Sequence, residues 1–555
     1  MLSASIHTLG CKLNQLESEA LAEAFRREGF DLLPWRTGGQ ASGVTGACRV
    51  GSACLLLINT CTVTSMAEQK ARRMIRKSLR ENPEACLIVT GCYAQLEKTA
   101  IEELDPVSCN CPDGGGPGKH NPSSSQFIPL APRRLFVVPG DVKSALLDLP
   151  RFLAESGAGS VPGAASLSSL IAAWVHSRDA AGTRDAPVAG TRDAAGKPAV
   201  EAVKAAETLE AAETVEAAGE GSAAEGAFRF IPGDFSSHSR GFLKIQDGCD
   251  KRCTYCRVTL ARGPSLSLSA EKVLAGLKGL EEKGYGEAVL TGVNITQYRD
   301  GDTQPGQKGE ASPHDGRDLG GLLEYLLSGG GEIRIRLSSL EPEGLTGTLV
   351  QALAHQRIRP HFHLSVQSGS PLILERMGRS YSPDEVEQGA ALLRGVKTDP
   401  FLACDIITGF PGETTAEFEK TYELCRRIGF AWIHAFPYSR RPGTAAWSFK
   451  NPVSEREAAR RVAALLNLAK QGRQEYIGRW IGKEVEAIAE GGNEKNAPLV
   501  QATSENYLKL LIVGSPGKAP PPGAPIRCRI KGPADPSEAV LMATGHFDAT
   551  AEIVG

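Results

Sequence analysis

The residues best suited to chemistry in this chain are cysteines, and their spacing says more than their number. Cys249-Asp250-Lys251-Arg252-Cys253-Thr254-Tyr255-Cys256 puts three thiols on one short segment, just after the strand-like run Leu243-Lys244-Ile245. Three thiolates on one loop can hold three irons of a 4Fe–4S cluster, because thiolate is the ligand such clusters use. The fourth iron then has no protein ligand and stays open to a small molecule. Zinc is the alternative, but a structural zinc site wants a fourth Cys or His at finger-like spacing. The nearest histidine, His238, lies before the strand.

A second set of cysteines is spread along the amino-terminal region. Ser5-Ile6-His7-Thr8-Leu9-Gly10-Cys11, Leu55-Leu56-Leu57-Ile58-Asn59-Thr60-Cys61 and Leu87-Ile88-Val89-Thr90-Gly91-Cys92 are each a short apolar run ending in Cys. Helical periodicity follows the first two, over Gln15 to Glu28 and Met66 to Leu79. Strand–helix alternation predicts a parallel sheet with helices on its faces. The carboxyl ends of such strands gather at one edge, where ligands bind. Cys11, Cys61 and Cys92 would therefore converge. The bland alternative is that they are small buried hydrophobes, the commonest fate of a free cysteine.

Elements that would position the first triad follow in the middle of the chain. Strand-like runs at Leu243–Ile245, Ala288–Leu290, Ile333–Leu337, Phe362–Val366 and Ile406–Ile407 alternate with helical patterns to about Leu465. Repeated βα units of this length predict a full or partial barrel with its site at the carboxyl ends of the strands. Residues 475–550 change to short strands between Gly/Pro loops, which reads as a small antiparallel β-barrel. The expected division is an α/β domain over 1–150, a low-complexity linker over 154–228, a barrel domain over 235–470 and the β-barrel over 475–550. Gly-rich insertions fall at about 38–51 and 106–128. The linker is Ala, Gly and Glu rich and repeats Arg-Asp-Ala-Ala-Gly at 178 and 192. Such a composition buries too little apolar surface to offset ordering entropy, so the linker and the 106–128 insertion are expected to be disordered.

A chain of 555 residues is too long for one core, in keeping with this division. The net charge of −2 gives no polybasic signature, so a nucleic-acid partner must be argued from a site. The start, Met1-Leu2-Ser3-Ala4-Ser5-Ile6-His7, lacks the charged and apolar regions of a secretion signal. No apolar run reaches membrane-span length, and a cytoplasmic protein is expected. Fourteen cysteines there read as metal or redox chemistry in part, not as a disulfide framework.

The CxxxCxxC loop resembles the signature of radical S-adenosylmethionine (SAM) enzymes. The resemblance implies that the open iron chelates SAM, which the reduced cluster cleaves to a 5′-deoxyadenosyl radical, and that Tyr255 lies against the adenine. Further SAM contacts are implied at Thr291, Gly292 and Asn294, at Ser338, Ser339 and Glu341, and at Gln367 and Ser368. Each is weak alone; in order, at successive strand ends, they reinforce one another. The whole chain apart from its insertions resembles the methylthiotransferases, in which Cys11, Cys61 and Cys92 would hold a second 4Fe–4S cluster. The resemblance also implies an electron donor such as flavodoxin or ferredoxin, and a monomer.

Thr8-Leu9-Gly10-Cys11-Lys12-Leu13-Asn14-Gln15-Leu16-Glu17-Ser18-Glu19 and Asn59-Thr60-Cys61-Thr62-Val63-Thr64 look like the branch acting on N6-threonylcarbamoyladenosine, 3′ of the anticodon. Other branches act on isopentenyladenosine or on a ribosomal-protein aspartate. A non-catalytic RNA-binding iron–sulfur or zinc protein is the more distant alternative. The carboxyl-terminal segment, with Ala502 to Tyr507, resembles the RNA-binding TRAM domain and implies contact with a tRNA anticodon stem-loop. It carries about as many acidic as basic residues, however. The segment after the cluster keeps Arg262-Gly263 but lacks the family's apolar-Pro-Tyr pattern. The best basic patch is the predicted helix carrying Lys70, Arg72, Arg73, Arg76, Lys77 and Arg80, for which a solvated face is the plain reading. Cys48, Cys54, Cys86, Cys404, Cys425 and Cys528 read as packing; Cys109 and Cys111 form a CxC of undetermined role.

Overall fold

The computed structural model describes residues 2–35, 54–105, 133–157, 164–182, 226–231, 239–300, 316–490, 500–513, 520–534 and 547–554. The Gly-rich insertions expected at 38–51 and 106–128, Cys109 with Cys111, and residues 183–225 of the linker lie outside them.

The amino-terminal sheet contains β1 (Ser3–Thr8), β2 (Asp31–Leu32), β3 (Leu55–Thr60), β4 (Cys86–Gly91) and β5 (Leu135–Val137). Their order is β2-β1-β3-β4-β5 and every pairing is parallel. β3 and β4 are buried along their whole length, as continuous apolar strands covered on both faces must be. The helix Lys12–Arg27 turns Leu13, Leu16, Ala20, Leu21 and Phe25 inward. The helix Ser65–Glu81 buries Ala71, Ile75 and Leu79, and the Thr64 hydroxyl caps it by accepting from the Ala67 amide at 3.1 Å. The winding reverses between β1 and β3, which opens a crevice at that point of the sheet edge. Cys11 follows β1, Cys61 follows β3 and Cys92 follows β4, so two of the three flank the reversal.

One expectation needs correction. The stretch 154–228 is not disordered throughout, because Ala164–Gly182 is a helix. Leu167, Ile171 and Trp174 are buried in the main core, and Ser168 donates to the Arg133 carbonyl. Their i, i+4, i+7 spacing makes one apolar stripe, which the surrounding Ala and Ser dilute in a compositional average. Phe228 and Phe230 also belong to that core.

The middle of the chain supplies β6 (Gly241–Lys244), a short antiparallel pair β7 (Gln246–Asp247) and β8 (Leu266–Ser267), then β9 (Glu287–Thr291), β10 (Arg334–Leu337), β11 (His361–Gln367), β12 (Phe401–Thr408) and β13 (Trp432–Pro437). β6, β9 and β10 form one parallel sheet and β11, β12 and β13 another. Parallel bridges Ile335–Ile358 and Leu340–Leu364 join them into a six-strand partial barrel. No pairing closes β13 onto β6 among the described residues. The amino-terminal domain lies along that gap. Its Leu16 lines one cavity with Phe242 and Leu243 of β6, and its Thr62 meets Arg441 beyond β13. β13 was not among the expected strands: Trp432-Ile433-His434-Ala435-Phe436 mixes polar and apolar residues because one face looks into the lumen.

The last unit is a closed barrel of β14 (Glu484–Glu490), β15 (Val500–Ser504), β16 (Lys509–Ile512), β17 (Pro525–Pro533) and β18 (Ala549–Ile553), ordered β14-β15-β16-β18-β17. It is not wholly antiparallel as expected, since β16 and β18 run parallel. A closed ring with an odd number of strands cannot alternate direction throughout. Ion pairs fasten this barrel beneath the partial barrel. Arg336 and Arg359 both bind the buried Glu287, Arg336 Nη2 donates to the Ser504 carbonyl at 3.1 Å, and Arg334 and Arg359 hold Glu486. Burial alone would raise the Glu287 carboxyl, but Arg336 and Arg359 outweigh it and hold it at about 2. Among the described residues no helix is long and apolar enough to cross a membrane.

Candidate active site

The cysteine loop is tied down from several sides. Gly248 has φ +70°, and a Cβ there would lie 1.8 Å from the Pro264 carbonyl oxygen, so the turn into Cys249 requires glycine. The Cys249 amide donates to the Gly263 carbonyl, the Thr254 amide to Met377, and the Ala446 amide to Thr254. The Cys256 sulfur accepts from the Val258 amide at 3.4 Å. Buried Gln246 braces the base of the loop, donating to the Gly248 carbonyl at 2.7 Å and accepting from the Asn294 amide at 2.8 Å. Sequence reasoning missed Gln246.

The three strand-end thiols come together as the topology predicted. Gly10 has φ +123°, and a Cβ on it would fall 2.5 Å from Cys61 Cβ, so glycine lets Cys11 and Cys61 approach. The Cys11 thiol donates to Asn14 Oδ1 at 3.6 Å. Arg262 Nε donates to Cys92 Sγ at 3.2 Å. Burial raises the Cys11 thiol and pushes the Cys61 thiol up to about 11, with neighbouring thiols adding to both. Burial likewise raises Cys249 and pushes Cys256 up to about 11. Iron ligation at either triad would have to displace the thiol protons. Among the described residues no three His, Cys, Asp or Glu converge where a single metal ion could sit. A cluster has no such need, since each thiolate binds a different iron.

Buried arginines join the two triads across the domain seam. Arg262 ends the helix Val258–Arg262 just after the cysteine loop. Besides Cys92 it reaches Glu17 at 3.2 Å, Asn14 at 3.1 Å and Asp247 at 3.0 Å. Burial would raise the Glu17 carboxyl, but Lys143, Arg262 and Lys244 hold it at about 2. Arg257 binds Glu68 at 3.2 Å and Glu97 at 2.7 Å, while Arg441 binds Glu68 and donates to the Thr62 carbonyl at 2.6 Å. Of these partners, Glu68, Glu97, Asp247 and Arg441 had not been singled out. Glu17 carried a signal, since it lies one turn after Leu13 on the helix's apolar face; Arg441, in a Pro/Gly loop, carried none.

The strand-end residues sort by what their side chains do. Tyr255 stands edge-on to Phe410, ring centroids 6.4 Å apart. Thr291 is buried and Gly292 lies against Gln246. Ser338 Oγ and Arg379 Nε are buried polar atoms without a hydrogen-bond partner, and the Asn294 side chain faces the Cys249 thiol. Such orphans fit a polar ligand that would satisfy them. Arg379 holds Glu341 at 3.0 Å, with Lys251 at 3.8 Å. Ser339 Oγ lies 2.8 Å from His363 Nδ1, inside the lumen beside Asp405 and His434. Gln367 has φ 61°, a left-handed conformation at the end of β11. Ser368 points away: its hydroxyl meets Thr421 at 3.1 Å and accepts from the Ser370 amide, bracing the helix Thr415–Ile428. Cys86, Cys404, Cys425 and Cys528 are buried away from both triads.

Residues 243–425 match the Radical SAM superfamily, and residues 3–110 match the uncharacterized protein family UPF0004. The chain is 38% identical to threonylcarbamoyladenosine tRNA methylthiotransferase MtaB of Treponema pallidum (strain Nichols), over 96% of this chain and 98% of that protein. It is 37% identical to the tRNA-2-methylthio-N(6)-dimethylallyladenosine synthase of Solibacter usitatus, but over 48% of this chain and 58% of that protein. Among solved structures, the radical S-adenosylmethionine methyltransferase TsrM of Kitasatospora setae aligns with TM-score 0.42 and 13% identity, covering 80% of this chain and 76% of that one. Likeness along nearly the full length of both chains settles the kinship: the chain belongs to the threonylcarbamoyladenosine tRNA methylthiotransferase family of radical SAM enzymes.

Proposed function

We propose that this enzyme inserts a methylthio group at C2 of N6-threonylcarbamoyladenosine, 3′ of the anticodon in tRNA. The observation that carries the reading is the seam. Arg262, on the flank of the CxxxCxxC loop, bonds to Cys92 of the other triad, so radical generation and sulfur delivery would share one compartment. Cys249, Cys253 and Cys256 would hold one 4Fe–4S cluster, and Cys11, Cys61 and Cys92 a second. The clusters and SAM would supply the radical, the methyl group and the sulfur.

What remains falls to the chain's own residues. Tyr255 offers a flat, largely buried surface for the SAM adenine. Asn294, Ser338 and the Glu341–Arg379 pair offer hydrogen bonds and charge for its polar groups. The amino-terminal domain, docked at the gap between β6 and β13, would help to keep water from the lumen. The carboxyl-terminal barrel would serve as a TRAM-like RNA-binding domain, and an electron donor such as flavodoxin or ferredoxin would reach the clusters from outside.

Mass spectrometry of tRNA nucleosides from a deletion strain tests the assignment. The 2-methylthio derivative of threonylcarbamoyladenosine is expected to vanish while its precursor accumulates. Loss of methylthio-isopentenyladenosine instead, or of a methylthio-aspartate in a ribosomal protein, would transfer the enzyme to another branch.

A further inference from the structure

We infer that the rim of the domain seam is a stacking platform for the unpaired bases of an RNA loop, and that the helix Ser65–Glu81 is its phosphate track. This rests on the acceptor being RNA. Large apolar side chains exposed singly need no explanation, but a group of them does. Of the nine exposed in the described residues, five are Val63, Met66, Leu260, Phe436 and Trp447, with exposures from 42% to 73%. They come from segments far apart in the sequence that meet at this one place.

The meeting is fixed by contacts. The Ser65 amide donates to Ser439 Oγ at 3.0 Å, and Arg441 donates to the Thr62 carbonyl, which sets Met66 and Val63 beside the loop after β13. Leu260 Cδ1 abuts the same loop, 3.4 Å from where a Cβ on Gly443 would be. In that loop Arg440 lies over the Trp447 ring at 4.5 Å and donates to its carbonyl at 2.7 Å. Phe436 lies near the end of β13 on the lumen side, parallel to His434 with centroids 6.4 Å apart. The aromatic surfaces thus run from the lumen wall outward.

Charge identifies the occupant. Met66, Lys70, Arg73 and Lys77 follow one another at helical spacing, so the apolar rim continues into a basic stripe on one helix face. Lys70, Arg73 and Arg76 are exposed and make no ion pair with described residues, and the helix's Glu68 is buried among arginines. Aromatic and guanidinium planes beside unpaired cations suit unstacked bases with their phosphates better than they suit a protein surface. A base drawn out of an anticodon loop leaves its neighbours without stacking partners; Trp447 can replace one, while Phe436 receives the extruded base.

The test uses the cluster-reconstituted full chain and an anticodon stem-loop RNA with 2-aminopurine next to the target adenosine. Trp447→Ala is expected to weaken binding about tenfold and abolish 2-aminopurine quenching, with the salt dependence unchanged. Trp447→Phe should restore most of both, which separates stacking from misfolding. Reversing Arg73 and Arg76 to Glu should instead flatten the salt dependence while leaving quenching intact at saturation. If the wild-type chain fails to bind this RNA, the RNA acceptor itself is refuted. If it binds and Trp447→Ala binds and quenches equally well, the platform is overturned. Trp447-dependent binding of a ribosomal protein in place of RNA would also overturn it.

Discussion

Cys249, Cys253 and Cys256 share one loop, whereas Cys11, Cys61 and Cys92 are delivered by three strand ends of a sheet. The loop triad is held by backbone amides and carbonyls together with Gln246, all from its own domain. The sheet triad depends on Gly10, Asn14 and an arginine from the other domain. A motif local in sequence survives as a unit; a motif made by topology inherits every interaction that holds the fold together. The two triads should therefore respond differently to damage.

The sharpest way to break this comparison is to remove the triads one at a time. Anaerobically reconstituted protein should carry about eight irons per chain, and either triple Cys→Ala variant about four. Any single change among Cys249, Cys253 and Cys256 should abolish 5′-deoxyadenosine formation. Cys11→Ala, Cys61→Ala or Cys92→Ala should stop methylthio transfer yet spare measurable SAM cleavage. Equal loss in both sets would mean the triads do not divide the work.

Next in size is Arg262→Met. It leaves Glu17 and Asp247 short of a buried counter-charge, a change worth about 3–5 kcal/mol in stability. Denaturant unfolding should show that loss, and iron bound at the sheet triad should fall more than iron bound at the loop. Trp174→Ala should cost about 3 kcal/mol, and removal of 164–182 more, because that helix is packed. Deleting 183–225 alone should leave the unfolding midpoint nearly unchanged.

The smallest effect is a pH slope. Glu17 and Glu287 are held at about 2, below the ordinary carboxylate range. Their contribution is complete above that ordinary range and is lost as pH falls towards about 2. Stability should fall with acid across that window, by up to roughly 1.4 kcal/mol per pH unit for each group. Glu17→Gln and Glu287→Gln should each flatten part of that slope.

The same contrast explains what could be read from the residues alone. Spacing revealed the loop triad, and strand–helix alternation revealed the sheet triad, because both follow from local periodicity. The arginine seam was only partly legible: Arg262 stood out through the resemblance, but Arg257 and Arg441 look like surface charges until the partners that bury them are known. β13 escaped because a strand lining a polar lumen loses the apolar alternation that marks an ordinary strand. The helix at 164–182 escaped because three large residues vanish in an average over many small ones. Ser368 sits at the expected strand end, yet only side-chain direction reveals that it serves the neighbouring helix.

The seam also bears on the order in which the protein is made. The amino-terminal domain leaves the ribosome first and can form its sheet early. At that stage Glu17 has Lys143 but neither Lys244 nor Arg262, Glu68 has no arginine, and Cys92 has no donor. Those partners belong to residues 244 to 441, synthesised much later. The edge that gathers Cys11, Cys61 and Cys92 is thus left electrostatically unfinished until the barrel has been translated and docks. The contacts that complete this edge thus exist only in the finished molecule, with both domains in place.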